Sequence, residues 1–141
     1  MKWKVIPALI LIIGSISWQA KNLPLINLNT FTSIPKDLMG AGEGFYLSAK
    51  DKKESKFICT TDYETALIYI NQKPIRLKVK DAAHFNRNKQ IFIYEKYALM
   101  IIGSASKKVG DENYLILKGT LTLKYDSNVV WEKKIIGEGG D

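Results

Sequence analysis

The chain alternates short apolar runs with polar turns, and its clearest unit spans residues 65–80. Residues 66–70 are almost wholly apolar, residues 71–74 supply a polar reversal, and residues 75–80 then alternate aliphatic with cationic side chains. A period of two places the aliphatic side chains on one face of a strand and the cations on the other. The pattern predicts a β-hairpin.

Further short runs rich in β-branched and aromatic residues follow along the chain, and each predicts a strand. They lie at residues 45–49, 57–61, 91–94, 97–102, 114–117, 121–125 and 129–136. Glu95 and Lys96 supply a hairpin turn between two strands, or alternatively a polar interruption in one long bent strand; we favour the turn. Gly119 indicates a bulge within one strand or a bend between two.

Other segments lack strand periodicity. Residues 18–39 carry two prolines and predict an extended lead-in, with one helical turn near Pro35 that covers or plugs the sheet. Residues 40–44 hold three glycines and precede a strand, whereas a phosphate-binding glycine loop leads from a strand into a helix. We therefore predict a tight bend or a bulge at a sheet edge there. By composition, residues 51–55 predict a charged turn, and residues 103–113 a loop.

These runs add up to about eight short strands with no long helix, a pattern typical of one antiparallel domain. The predicted fold class is all-β, a small barrel or a sandwich. The predicted boundaries are a β domain over residues 40–136 and a flexible tail over residues 137–141.

The first residues form a separate segment. Two lysines and an apolar run precede Gly14, Ser15 and Ser17, which is the pattern of a secretory signal peptide over residues 1–17. Cleavage as late as Ala20 is the alternative boundary, and an uncleaved anchor is disfavoured because the run is about half of the roughly 20 residues that a spanning helix needs. We expect an exported protein, periplasmic or secreted.

Composition narrows the chemistry. The 141 residues carry a formal net charge of +7, and removal of the leader leaves 19 cations against 14 acids, a net charge of about +5. The only cysteine is Cys59 and the only histidine is His84. This rules out a disulfide framework within the chain and argues against a zinc site of the Cys/His type. Cys59 shares a strand face with Phe57 and is predicted to be buried, the alternatives being a reactive thiol or an intermolecular disulfide. We expect no cofactor, no metal and no enzymatic activity.

Two sets of residues are candidates for binding. A basic strand face predicts an anion-binding surface, which consists of Arg76, Lys78, Lys80 and Lys89. The polar loop over residues 81–89 predicts a partner-binding surface, with the candidate residues Ala82, His84, Phe85 and Arg87. A solvated outer face that discourages edge pairing is the alternative reading of the cations.

The central hairpin resembles that of the membrane-bound lysozyme inhibitors, small periplasmic inhibitors of c-type lysozyme. The similarity lies in residues 66–77 and extends into the strand at residues 91–94. It implies an eight-stranded antiparallel barrel whose loop after the hairpin inserts into a hydrolase cleft. It implies no inhibitory residue, because residues 82–86 read Ala-Ala-His-Phe-Asn in place of the family's Ser-Gly-x-x-Tyr motif, and the family's disulfide pair is absent.

Together these patterns predict a non-enzymatic binding protein of the cell envelope. A hydrolase inhibitor or an immunity-type protein, with a protein partner, is the first hypothesis. The alternative is a surface module that binds anionic lipid or polysaccharide through the basic strand face, with peripheral membrane contact at most. Nucleic acid is a poor partner for an exported protein.

Overall fold

The structure is a computed structural model that describes residues 23–84 and 86–140. The predicted signal peptide lies outside the described residues. The fold is nearly all β, which confirms the predicted class. The strands are β1 (Leu28–Asn29), β2 (Gly42–Tyr46), β3 (Cys59–Thr61), β4 (Thr65–Ile70), β5 (Lys73–Val79), β6 (Lys89–Tyr94), β7 (Tyr97–Val109), β8 (Asn113–Tyr125) and β9 (Asn128–Gly140).

Eight of these strands close into an antiparallel barrel. The order around the wall is β4-β3-β2-β9-β8-β7-β6-β5, and pairing of β5 with β4 closes the ring. The predicted central hairpin is β4–β5, joined by Asn71 and Gln72 in the left-handed region at φ 49° and 68°. Glu95 and Lys96 form the predicted two-residue turn between β6 and β7. Closure leaves no continuous free edge around the barrel.

Side chains fill the barrel interior, so the barrel has a packed core rather than a lumen. The inward rows follow the register: Phe45 lies opposite Cys59, and Phe92 lies opposite Leu99. All four are fully buried. Alternation of inward and outward side chains thus carries through the long strands as predicted.

The lead-in covers part of the barrel's outer wall. β1 pairs with the end of β4, and Phe31 packs against Tyr69 and Phe57 with ring centroids 4.8 and 5.9 Å apart. A 3₁₀ turn at Lys36–Leu38 follows, where Asp37 forms a two-pronged ion pair with Arg76. This cover explains why β4 reads as a continuous apolar run, since its outward side chains are buried too.

The predicted loop over residues 103–113 is wrong. β7 continues to Val109 and β8 begins at Asn113, so the two strands form a long hairpin with a three-residue turn, Gly110–Glu112. The predicted flexible tail is wrong as well for residues 137–140, which complete β9 between β8 and β2. Ladder hydrogen bonds order both segments: residues 103–109 pair with β8, and residues 137–140 pair with β2 and β8. Composition carries no signal for such bonds.

Two smaller predictions also change. Ala49–Lys53 forms one short helix, α1, in which Ser48 caps the first turn by accepting from the Asp51 N–H at 3.1 Å, where a charged turn was expected over residues 51–55. The glycine-rich segment does not lie at a sheet edge, because Gly42–Tyr46 is paired on both sides. Among residues 40–44, only Gly40, just before β2, has a positive φ, at 119°.

Cys59 lies in the barrel interior, which confirms the buried reading. Its side chain is fully buried, and burial together with the negative charge of Glu43 raises the pKa of its thiol. Thiol reagents react with the thiolate, so both the low access and the raised pKa make Cys59 unreactive.

We therefore expect Cys59 to resist an aromatic disulfide reagent at pH 8 in the native protein and to react completely in denaturant. A Ser33→Cys variant, with its new thiol on an exposed position, is the matched control and should react at once at that position. Rapid labelling of Cys59 in the native protein would show that the barrel opens at this point.

Candidate functional site at the barrel mouth

One end of the barrel holds a group of buried polar side chains. We call this end the barrel mouth; it is where β2 begins, β9 ends and the β7–β8 hairpin turns. Glu43 of β2, Thr61 of β3, Gln90 of β6 and Tyr114 of β8 each stand one inward position beyond the apolar core on their strands. Strand alternation therefore directs all four toward the barrel axis.

The carboxylate of Glu43 is the centre of this group. Its Oε1 accepts from Thr61 Oγ1 at 3.1 Å and from Gln90 Nε2 at 2.8 Å, and its Oε2 accepts from Tyr114 Oη at 2.5 Å. Glu43 is 5% exposed and Gln90 is 2% exposed. Donors from three different strands thus hold one buried carboxylate, which ties the strands together at the mouth.

Burial dominates the electrostatics of Glu43 and raises the pKa of its carboxyl group. The hydrogen bonds from Tyr114, Gln90 and Thr61 oppose that rise, and so does the positive charge of Arg87. Burial and the bond to Glu43 also raise the pKa of Tyr114, so Tyr114 remains a hydrogen-bond donor at neutral pH.

Glycines in β9 make room for this network. A Cβ on Gly139 would lie 2.5 Å from the Tyr114 ring and 2.9 Å from Glu43 Cγ. Tyr63 completes the mouth, with its Oη 3.3 Å from Tyr114 Oη and 3.3 Å from the carbonyl oxygen of Gly140. The sequence Gly137-Glu-Gly-Gly is therefore a packing requirement of the last strand.

Arg87 covers the network from the solvent side. Its guanidinium carbon lies 4.6 Å from the centroid of the Tyr114 ring, a cation–π contact. Beside it is a cleft of about 310 Å³ that mixes three cations with two acids. The cleft is lined by Arg87, Asn88, Ser106, Lys107, Lys108, Asp111, Glu112, Asn113, Tyr114 and Ile116.

The far end of the β7–β8 hairpin forms the opposite wall of this cleft. β6 begins at Lys89 opposite Ile102, so β7 beyond Gly103 is paired with β8 alone. Lys107 and Lys108 lie on this segment and are exposed. The hairpin end and residues 86–88 are therefore two adjacent surfaces that flank the cleft.

The structure separates the residues predicted to bind a partner. Ala82 and His84 lie in an exposed 3₁₀ turn, where His84 Nδ1 is 2.8 Å from Asp81 Oδ2. Phe85 lies outside the described residues. Of the three members of the set that the structure describes, Arg87 alone packs into the barrel mouth.

The predicted anion-binding residues lie on the outer wall instead of at the mouth. Arg76 is held by Asp37, and Lys78 Nζ donates to Thr65 Oγ1 at 2.9 Å. Lys80 and Lys89 are exposed and form no ion pair within the described residues. The four predicted anion-binding cations and Arg87 thus do not form one continuous surface.

Sequence reasoning missed Glu43, Gln90, Tyr114 and Tyr63. A signal exists for the first three: each is a polar residue two positions from a fully or largely buried apolar residue on its own strand, as Glu43 is from Phe45. A polar residue that continues an inward row near a strand end is a candidate for a buried network.

Comparison with protein families, with characterised proteins and with solved structures finds no match to this chain. Within the described residues, no helix has the length and apolar character needed to cross a membrane, and no three His, Cys, Asp or Glu side chains cluster as metal ligands would.

Proposed function

We propose that this protein is an exported, non-enzymatic binding protein whose barrel mouth docks into an acidic cleft of a protein partner in the cell envelope, such as a hydrolase. The observation that carries the proposal is the pairing of the exposed Lys107 and Lys108 with Arg87 across one cleft, on a base fixed by the Glu43 network. A rigid base reduces the entropy lost on binding.

Charge favours an acidic partner surface. Arg87, Lys107 and Lys108 stand on the two sides of the cleft, while Asp111 and Glu112 are confined to the hairpin turn. Glycoside hydrolases carry paired carboxylates in their clefts. Arg87, Lys107 and Lys108 complement the charge of such a cleft, which speeds association and orients the complex.

The positions of the side chains that could act in catalysis favour a binding role over an enzymatic one. Cys59 is fully buried in the core while His84 is exposed on its loop, so the two cannot act as a thiol–imidazole pair. Both oxygens of the Glu43 carboxylate already accept hydrogen bonds from protein donors. The resemblance of the central hairpin to lysozyme inhibitors agrees with this role.

The test compares two double variants. Lys107→Gln/Lys108→Gln removes charge from the hairpin, and Lys80→Gln/Lys89→Gln removes equal charge from the outer wall. Hydrolases captured from envelope extract by the wild-type protein are purified and titrated by calorimetry, and their activity is measured with and without the protein.

We expect the hairpin variant to bind a hydrolase at least about tenfold more weakly, while the outer-wall variant binds as the wild type does. Hydrolase activity should fall as the wild-type protein saturates it. Equal affinity of the hairpin variant and the wild type, or full hydrolase activity in the saturated complex, would contradict the proposal.

A further inference from the structure

The outer wall of the barrel carries an uncovered aliphatic patch. Ile91 and Ile93 of β6, with Met100 and Ile102 of β7, point outward, because the residues between them, such as Phe92 and Ile101, point inward and are buried. Ile91 lies directly opposite Met100. Ile93 and Ile102 are each 38% exposed. We call these four side chains the wall patch.

Lysines surround the wall patch. Lys78 lies opposite Ile93, and Lys89 lies opposite Ile102. The Lys80 N–H donates to the Ile91 carbonyl at 2.8 Å, which places Lys80 beside Ile91 on the same face. Lys124 lies opposite Ala98, which in turn is opposite Ile93.

None of these four lysines forms an ion pair within the described part of the chain. Three acids lie nearby. Glu132 accepts from Thr122, which lies two strands away from Ile91, and Glu95 and Asp126 lie in the β6–β7 and β8–β9 turns, in one cleft with Ile93 and Lys124. None of the three forms an ion pair with a lysine of this set. The lysines therefore keep their charge available to a ligand that carries negative groups.

The contrast with the other half of the wall is direct. There the lead-in covers β2–β4, with Phe31 on Tyr69 and Asp37 on Arg76, and outward Leu67 is fully buried. The cover ends at Arg76, and no described segment continues it over β6 and β7. The lead-in thus covers the apolar outer surface of β2–β4, whereas the wall patch on β6 and β7 is left exposed.

Charge decides what fits the wall patch. A second copy of the chain would bring two sets of four lysines together, which opposes self-association. An acidic polysaccharide would pair with the lysines and leave the aliphatic side chains in water. A bilayer of anionic lipid supplies phosphates at the level of the lysines and an apolar interior for the isoleucines.

We propose that the outer wall of β5–β7 docks on an anionic lipid bilayer, with Ile91, Ile93, Met100 and Ile102 entering the headgroup–acyl boundary and the surrounding lysines pairing with lipid phosphates. This contact is peripheral. It uses a different surface from the barrel mouth, so the mouth remains available to a protein partner while the barrel lies on the membrane.

The experiment uses the form that the predicted cleavage after Ser17 would leave. It begins at Trp18 and retains every strand of the barrel, and its fold is checked by circular dichroism. Binding is measured by flotation with phosphatidylcholine vesicles that contain a minority of phosphatidylglycerol, and with vesicles of phosphatidylcholine alone. Ile93→Ser/Ile102→Ser tests the apolar part, and Lys80→Gln/Lys89→Gln tests the charge. The matched controls lie on the hairpin. They are Val109→Ser/Leu117→Ser, whose wild-type side chains are 45% and 50% exposed, and Lys107→Gln/Lys108→Gln.

We expect the wild-type protein to bind the anionic vesicles and not the neutral ones. The affinity for anionic vesicles should fall about tenfold or more in each wall variant and should stay at the wild-type level in both controls. Binding should also fall steeply as salt is raised. Equal binding to neutral vesicles, wild-type binding by the wall variants, or equal losses in the controls would overturn the proposal. A dimer that the Ile93→Ser/Ile102→Ser variant abolishes, or capture of acidic polysaccharide without vesicles, would overturn it in favour of those occupants. None of these outcomes bears on the mouth, because the mouth variants serve only as controls here.

Discussion

Replacing Glu43 with alanine is expected to lower the free energy of unfolding by about 2–4 kcal/mol, because three donors lose one buried acceptor together. Thr61, Gln90 and Tyr114 converge on this carboxylate from three strands. Without it their polar groups remain buried without a partner, and the barrel mouth loses its common anchor. Urea denaturation followed by tryptophan fluorescence measures the change.

The matched controls are Glu43→Gln and Glu64→Ala. The glutamine oxygen can still accept from Thr61 and Gln90, while its amide donates to Tyr114, whose hydroxyl can then donate to Tyr63. We expect this variant to lose less than about 1 kcal/mol. Glu64 is exposed, so its loss should change stability by no more than about 0.5 kcal/mol. A Glu43→Ala variant as stable as the Glu64→Ala variant would contradict the assigned role.

Comparison of Glu43→Gln with the wild type gives a pH dependence of stability with a defined sign. Burial raises the pKa of Glu43 above its ordinary value of 4.5, so the folded protein binds this proton more tightly than the unfolded chain does. The contribution of the proton to stability is full below the unfolded pKa and is lost as pH rises through the folded pKa. The stability of Glu43→Gln relative to the wild type should therefore increase as pH is raised from about 4. A relative stability that decreases over this range would show that the hydrogen bonds outweigh burial.

The sequence predicts the barrel well where a strand has one face in the core. The alternation over residues 75–80 directs Ile75, Leu77 and Val79 inward. Leu77 is fully buried, and Ile75 and Val79 are partly buried and pack against the core. β4 reads instead as an unbroken apolar run because the lead-in covers its outer face. Local pattern therefore reports whether a strand is covered on one side or on both.

The sequence fails where order comes only from backbone pairing. The end of β7 is rich in serine and lysine, and the end of β9 is rich in glycine, so both have the composition of a loop. In the barrel they flank the start of β8, and each is ordered by its ladder of backbone hydrogen bonds. Backbone pairing of this kind depends on topology, which a local pattern does not encode.

The candidate site fails to emerge from the sequence for a related reason. The loop after the central hairpin was predicted to bind because it is polar, and Arg87 does reach the mouth. Its contact, however, is Tyr114, a residue 27 positions further along the chain on a strand predicted to end elsewhere. A network whose members come from β2, β3, β6 and β8 becomes visible only when the barrel closes.

Gly137→Ala is expected to destabilise the barrel by about 2–3 kcal/mol, although it adds a single methyl group. The position of that methyl lies 2.7 Å from Phe45 Cδ1 and 3.0 Å from the carbonyl oxygen of Gly44. Phe45 is fully buried and fills the barrel interior, so its ring has no space to move into. The free energy of unfolding in urea is again the measurement.

Gly103→Ala is the matched control, because it makes the same change in a strand where the new methyl group meets only ordinary contacts at 3.7 Å or more. We expect it to leave stability unchanged or slightly raised, since glycine weakens a strand interior. A second comparison uses the double variant Gly137→Ala/Phe45→Leu. Leucine lacks the ring edge that the methyl group meets, so the double variant should be more stable than the sum of the two single changes predicts. If the two losses of unfolding free energy add strictly, the loss at Gly137 comes from contact with the backbone of β2. If the double variant loses less than the sum, the last strand carries glycine at this position in order to admit the Phe45 ring.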